Sequence, residues 1–344
     1  MSLLKTHYYG GIKKYQWTAI PLALHGVIYK NSGEKINITI GEDDNDPVFC
    51  VSDLLPHLAK DQMSKKLSEA IEGEALNLIF GGFTIGADDE KDRFKKNVLN
   101  ILNKKYGITE RDFLSAEIEA VPAFKAKNVG LDGAFIGAYG QDDRVCAYTA
   151  VKAITEVDIP KKTAICILVD KEEIGSCGNT GMLSDFFKIS LAEIIKKITG
   201  SCDYLTLGRV LTNSSCLSSD VCAAVDPNYE SVTEKNNASF AGNGIALMKY
   251  TGARGKSESS DASAEFVYKI TKILDDNGVF WQSAELGKVD QGGGGTIAQY
   301  VANLNMDVID CGVPVISMHA PFEITAKTDV YMAYLSYKAF YNNN

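Results

Sequence analysis

The chain has no C-x-x-C pair, no long Lys/Arg run, no stretch long and apolar enough to cross a membrane, and nothing resembling a secretory signal peptide. Without a basic run or patch, nucleic acid is not an expected partner. Without a span or leader, neither is a membrane. The eight cysteines, Cys50, Cys146, Cys166, Cys177, Cys202, Cys216, Cys222 and Cys311, show no paired spacing, and several lie in apolar runs. In a chain of this size they read as reduced, mostly buried thiols, which points to a cytoplasmic location. Histidine is scarce too: only His7, His25, His57 and His319 occur. Internal repeats and low-complexity segments are missing as well.

What is present has the composition of a soluble globular protein, 45% hydrophobic and 23% charged. A length of 344 residues allows two domains and a large core that needs no disulfides. The net charge of -9 gives an acidic surface that favours solubility. Residues 16–30 and 35–41 are rich in Ile, Val, Thr and aromatics, and a polar break at 42–46 separates them from a further apolar run at 47–51. Residues 88–104 are charged with helical periodicity. A β-rich domain is therefore expected over 1–122, closing near Val121-Pro122. From about Gly130 strand patterns alternate with helical ones. The segment 162–169 is nearly all apolar, as a strand buried on both faces would be. Helical patterns lie at 144–156, 187–199, 261–277, 296–304 and 326–340. This alternation predicts an α/β fold, a sheet covered by helices, over 123–344. The closing Asn342-Asn343-Asn344 is expected to fray.

Chemistry-bearing residues gather at the ends of the predicted strands. V-D-K-E-E-I-G-S sets Glu172 and Glu173 directly after the 162–169 segment. Ligands of open α/β sheets bind outside the carboxyl ends of strands. Adjacent carboxylates there can divide labour, one holding a metal while its neighbour serves as general base. A solvated charged turn is the plainer alternative. In G-Q-D-D-R-V-C-A-Y, Asp142 and Asp143 precede a predicted helix, either as its cap or as a carboxylate bridging two metal ions. Asp220, in S-S-C-L-S-S-D-V-C, suits an Asx-turn or a metal ligand. His319, in V-P-V-I-S-M-H-A-P, ends a strand-like run as a structural residue or a zinc ligand. Their convergence points to a co-catalytic two-metal hydrolase site. The run D-Q-G-G-G-G-T-I-A-Q lacks both the Lys-Ser/Thr ending of a P-loop and the spacing of a dinucleotide fingerprint. It reads as a nest of backbone N–H groups for a substrate carboxylate or carbonyl, or as close packing beside the site.

The segments Y-G-G-I-K-K-Y-Q-W, S-D-L-L-P-H-L-A-K, G-Q-D-D-R, K-E-E-I-G-S, S-S-D-V, D-P-N-Y, G-G-G-G-T-I and V-I-S-M-H occur in this order along nearly the whole chain. In them the chain resembles the aspartyl aminopeptidase family, whose members share the dizinc exopeptidase fold. The resemblance implies a zinc metallo-aminopeptidase that removes N-terminal residues from peptides with two zinc ions per subunit, cobalt or manganese being alternative metals. It implies Asp142 as the ligand bridging both metals, Glu173 and His319 on one metal, Asp220 on the other, and Glu172 as general base. The peptide bond after Asp142 is expected to be cis. His57 is implied to reach the active site of a neighbouring subunit, with an ordinary surface or core histidine as the alternative. The β-rich domain matches the family's insertion domain, which mediates dimerisation, and such dimers assemble into a tetrahedral dodecamer.

Two departures from the family pattern stand out. Relatives carry an N-terminal part of the catalytic domain with an H-x-D motif whose His is the remaining metal ligand, and His7 has no H-x-D context. A longer chain or a product with one complete metal site is therefore expected. Around D-P-N-Y this chain has Ala223 and Asp226 where some relatives have histidines, which argues against presuming a preference for acidic N-terminal residues. Arg254 and Lys256 are candidates for holding a substrate carboxylate, against the alternative of an exposed loop. Two rival readings stand beside the peptidase: a catalytically impaired assembly or peptide-binding subunit, and another hydrolase of the same fold, such as a deacylase or carboxypeptidase.

Overall fold

A computed structural model describes residues 1–87 and 89–343, and within it the chain forms two units, Met1–Ala126 and Lys127–Asn344. In the first, the alternating apolar residues of β2 (Leu22–Tyr29) place that strand centrally. It pairs antiparallel with β3 (Lys35–Ile40) on one edge and with β5 (Glu117–Pro122) on the other. A separate antiparallel pair joins β1 (Ser2–Leu4) to β4 (Leu78–Gly81). Leu22, Leu24, Ile28, Ile38 and Ile40 pack with Phe49, Val51, Leu78 and Ile108 into this unit's core. The expected strand at 16–30 begins only at Leu22. Lys14–Trp17 is a 3-10 turn, and Pro21 has no N–H to offer a ladder.

The helices of this unit are α1 (Lys60–Ser64), α2 (Leu67–Ala70) and α3 (Arg93–Tyr106). In α3, Val98 and Leu102 lie one turn apart and bury one face, and the helix ends at Gly107, whose left-handed backbone lets its N–H donate to the Asn103 carbonyl at 2.7 Å. Asp88, the first residue of the expected helical stretch, lies outside the described residues.

The second unit contains two sheets. One runs in the order β6 (Lys127–Val129), β7 (Phe135–Ala138), β14, β13, β9. The other runs β11, β10, β12, β8. Their strands are β8 (Ser215–Ser218), β9 (Cys222–Ala223), β10 (Ile245–Met248), β11 (Trp281–Ser283), β12 (Asp307–Gly312), β13 (Pro314–Ile316) and β14 (Glu323–Ala326). The helices are α4 (Gln141–Thr155), α5 (Phe186–Thr199), α6 (Tyr204–Thr212), α7 (Ala264–Asp276), α8 (Ala298–Ala302) and α9 (Lys327–Asn343). Val145, Ile245, Leu247, Phe266, Ile270, Leu274, Ile309, Val313, Val315 and Tyr337 share one core between α4, α7, α9 and the strands.

Two chain segments pass side by side from one sheet to the other. β8 pairs parallel with β12, and beyond the crossing β9 pairs parallel with β13. Gly312 sits at the crossing, where a Cβ would lie 1.4 Å from the Asp220 carbonyl oxygen.

Five expected helical windows correspond to α4, α5, α7, α8 and α9. α6 was not expected: Gly208 interrupts its pattern, although Asp203 caps it by accepting the Thr206 N–H at 2.7 Å. Two expectations need correction. The tail does not fray through Asn342 and Asn343, which complete α9 with the Asn343 amide donating to the Ala339 carbonyl; Asn344 lies outside the described residues. The apolar segment 162–169 is not a doubly buried strand. It joins no ladder among the described residues, and Leu168 is 59% exposed. Apolarity and β-propensity mark a segment that can pair, but a buried strand needs partners on both edges, and the run itself does not encode them. Among the described residues, no helix is long and apolar enough to cross a membrane.

Replacing Gly312 with Ala forces backbone apart at the crossing. Gly312→Ala is expected to lower the unfolding free energy by about 2 kcal/mol or more, read as a fall in the urea midpoint; an unchanged midpoint would contradict the crossing geometry.

Candidate metal centre

Asp142 lies just beyond β7. Gly140 takes a left-handed conformation, and Asp142 and Asp143 leave helical geometry before α4 proper begins. The peptide bond between them is cis, as expected. Asp142 and Asp143 sit within the kinked, non-helical start of α4. Glu172 and Glu173 stand on a 3-10 turn (Glu172–Ile174) between left-handed Lys171 and Gly175. Asp220 occupies the crossing between β8 and β9, and His319 follows β13 with a left-handed backbone.

These elements bring five side chains together. The Nε2 of His319 is 3.1 Å from Asp142 Oδ2 and 3.3 Å from Glu173 Oε1. Donor atoms of Asp142, Glu173 and His319 all lie within 4.8 Å of one another, and so do those of Asp142, Asp143 and Asp220. Asp142 is common to both groups. Glu172 belongs to neither, although its charge couples to Glu173, Asp142 and Asp310. His57 belongs to the first unit, exposed on the turn Pro56–Leu58.

The electrostatics are those of a cation site. Burial pushes Asp143 up to about 8, with Asp142 and Glu172 adding repulsion against a bond from Cys146. Burial, then Glu173 and Asp142, push Glu172 up to about 7. Burial also raises Glu173, with His319 opposing it, and holds Asp220 well above the usual carboxylate range beside Asp143, Asp142 and Glu172. Asp143 Oδ1 is buried with no hydrogen-bond partner among the described residues. An orphaned carboxylate oxygen, further carboxylates and one imidazole make a donor set that fits zinc.

Sequence reasoning missed two buried acids here. Glu323 accepts the Asp142 N–H on Oε2 at 3.0 Å and the His319 N–H on Oε1 at 2.6 Å. Asp310 accepts the Thr296 hydroxyl at 2.8 Å, and burial pushes it up to about 6. Each is a lone acid inside an apolar strand, F-E-I-T-A or V-I-D-C-G, which was the available signal. The glycine run answers to close packing: Cβ atoms at Gly292 and Gly293 would lie 1.9 Å from the Leu286 carbonyl oxygen and 2.0 Å from that of Gly252. Arg254 and Lys256 lie on an exposed loop, with Lys256 paired to Asp261 at 3.1 Å.

Comparison with known proteins bears on the chain as a whole. The family described as "Aminopeptidase I zinc metalloprotease (M18)" matches residues 1–341. Over 343 residues the chain is 54% identical to the probable M18 family aminopeptidase 1 of Clostridium acetobutylicum, which takes in 100% of this chain and 74% of that protein. The crystal structure of an M18 aminopeptidase from Thermotoga maritima superposes with a TM-score of 0.96 at 52% identity, over 99% of this chain and 75% of that one. The S. cerevisiae mApe1 dodecamer shares the fold at a TM-score of 0.67 and 21% identity, over 96% of this chain and 71% of that one.

The raised carboxyls set a pH dependence. Unfolded, they release protons near pH 4; folded and free of metal, Asp310, Glu172 and Asp143 keep theirs to about 6, 7 and 8. The native state then binds more protons than the unfolded state, so its stability falls as pH rises through this window. In a chelator, the melting temperature is expected to be higher at about pH 6 than at about pH 8, and zinc, which displaces these protons, is expected to stabilise more at the higher pH. A metal-free melting temperature that climbs with pH would contradict the assignment.

Proposed function

The chain belongs to the M18 family of zinc aminopeptidases, and on that premise we propose that it removes N-terminal residues from peptides at a centre of two zinc ions per subunit. The observation that carries this reading is the position of Asp142, common to two separate donor groups. Asp142 would bridge the ions, Glu173 and His319 would hold one, and Asp220 the other, with the orphaned Asp143 oxygen beside it. Zinc bound there supplies Lewis acidity toward the scissile carbonyl and brings the pKa of a water to about 7.

The protein's own groups do the rest. Glu172 stands outside both donor groups and next to the ligand Glu173, a carboxylate free to act as general base. It takes a proton from the attacking water on a carboxylate oxygen and returns it to the leaving amine. The surrounding carboxylates attract the free α-ammonium group of the substrate, which selects peptide N-termini over internal bonds.

The first unit serves, in this reading, as a dimerisation domain. Leu54, Leu55, Leu58, Met63 and Leu67 are all exposed around His57, more apolar surface than a short solvent-facing stretch ordinarily shows. Covered by a second copy, this stretch would carry His57 to the neighbouring subunit's active site, where an imidazole can orient the substrate or stabilise a developing oxyanion. Dimers of this kind would build a tetrahedral dodecamer. The eight free cysteines support a cytoplasmic location.

Glu172→Ala is expected to cut hydrolysis of aminoacyl anilides by about 100-fold or more while zinc content per chain stays at the wild-type level. Parallel loss of zinc would make Glu172 a ligand rather than the base. N-acetylation of the substrate is expected to abolish cleavage; equal cleavage of the acetylated substrate would favour a deacylase or carboxypeptidase.

A further inference from the structure

β14 lies between β7 and β13 and runs antiparallel to both. The two flanking strands therefore run in the same direction, and their carboxyl ends emerge on the side where β14 begins. Glu323 is the first residue of β14, paired in register with Ala138, the last residue of β7. The residue is 2% exposed, and its carboxylate accepts the backbone N–H of Asp142 beyond β7 on one oxygen and that of His319 beyond β13 on the other, with the Gln141 N–H adding to the former turn's hold. Those are the residues whose side chains approach each other to 3.1 Å.

We propose that Glu323 is a positioning residue, a strap that fixes the distance between the Asp142 turn and the His319 turn and so presets the spacing of two metal-donor side chains. The inference rests on the metal-centre reading above. The physics is that of charge-assisted bonds: an ionised carboxylate is a stronger acceptor than a neutral one, and two such bonds at a fixed separation specify geometry as well as energy. Donor atoms need to be held within about 0.5 Å of their working positions to bind a metal well. No side chain of half its acceptor capacity can hold both turns.

Glu323→Gln keeps the shape but turns one oxygen into an amide nitrogen, which faces an N–H and loses that bond. Asp329 provides the internal control. It is another fully buried carboxylate of this unit that accepts two backbone N–H groups, from Gly242 at 2.7 Å and Gly244 at 2.8 Å, and it belongs to neither donor group.

The test is zinc affinity by chelator competition on the wild-type protein, E323Q and D329N, with the visible spectrum of the cobalt-loaded proteins as a report on ligand geometry. E323Q is expected to bind zinc about 10- to 100-fold more weakly and to show an altered cobalt spectrum. D329N is expected to lose thermal stability but keep the wild-type affinity and spectrum. Wild-type affinity and spectrum in E323Q overturn the strap, as does an equal loss in both variants, which would mark a general effect of unfolding. A wild-type protein that binds no zinc overturns the metal centre itself.

Discussion

Carboxylates of one sign crowd together where β7, β8 and β13 end, and their repulsion has to be neutralised by protons or by cations. Burial first, and this crowding in addition, raise the carboxyls of Asp143, Glu172, Glu173 and Asp220. A cluster so organised costs stability unless something positive enters it, and that cost would favour the metal binding proposed above. Much of the surrounding architecture serves to keep these acids close against their mutual repulsion.

The crossing of two chain segments between sheets is the main device. β8 and β12 travel together and become β9 and β13, so the Asp220 turn is clamped by a neighbouring backbone that only glycine can supply at 312. Gly292 and Gly293 also lie against neighbouring backbone, and the run they open leads to Thr296, which donates to Asp310. Glu323 spans from the middle strand to the turns on either side. Rigid strands thus carry the donors, while the donors themselves sit on short turns with unusual backbone angles at Gly140, Lys171 and His319.

Elements were legible where one residue pattern decides them. The period of α3, α4, α5, α7 and α9 could be read because a helix buries a stripe that recurs along its own sequence. The segment 162–169 misled for the opposite reason. Its apolar residues are those of an interior strand, yet among the described residues no strand pairs with it, since pairing is a property of two segments and only one was being read. Helix α6 was hidden by Gly208, which weakens a helical pattern that tertiary contacts and the Asp203 cap still uphold.

For the site, the residue types of Asp142, Glu172, Glu173, Asp220 and His319 were available from the chain alone, because metal chemistry demands particular side chains; the strand-end positions of Asp142, Asp220 and His319 were legible too, whereas Glu172 and Glu173 follow a segment that joins no ladder among the described residues. Which of them meet is written in no single motif and came only from the family resemblance. That Asp143 points a buried oxygen among them, and that Glu323 and Asp310 lie buried beside them, depend on strands far apart in sequence lying side by side. Sequence determined the chemistry on offer, since it is carried by individual side chains. Only the tertiary structure decided the distances, since they are set by strand register and by the close approach of backbones at Gly292, Gly293 and Gly312.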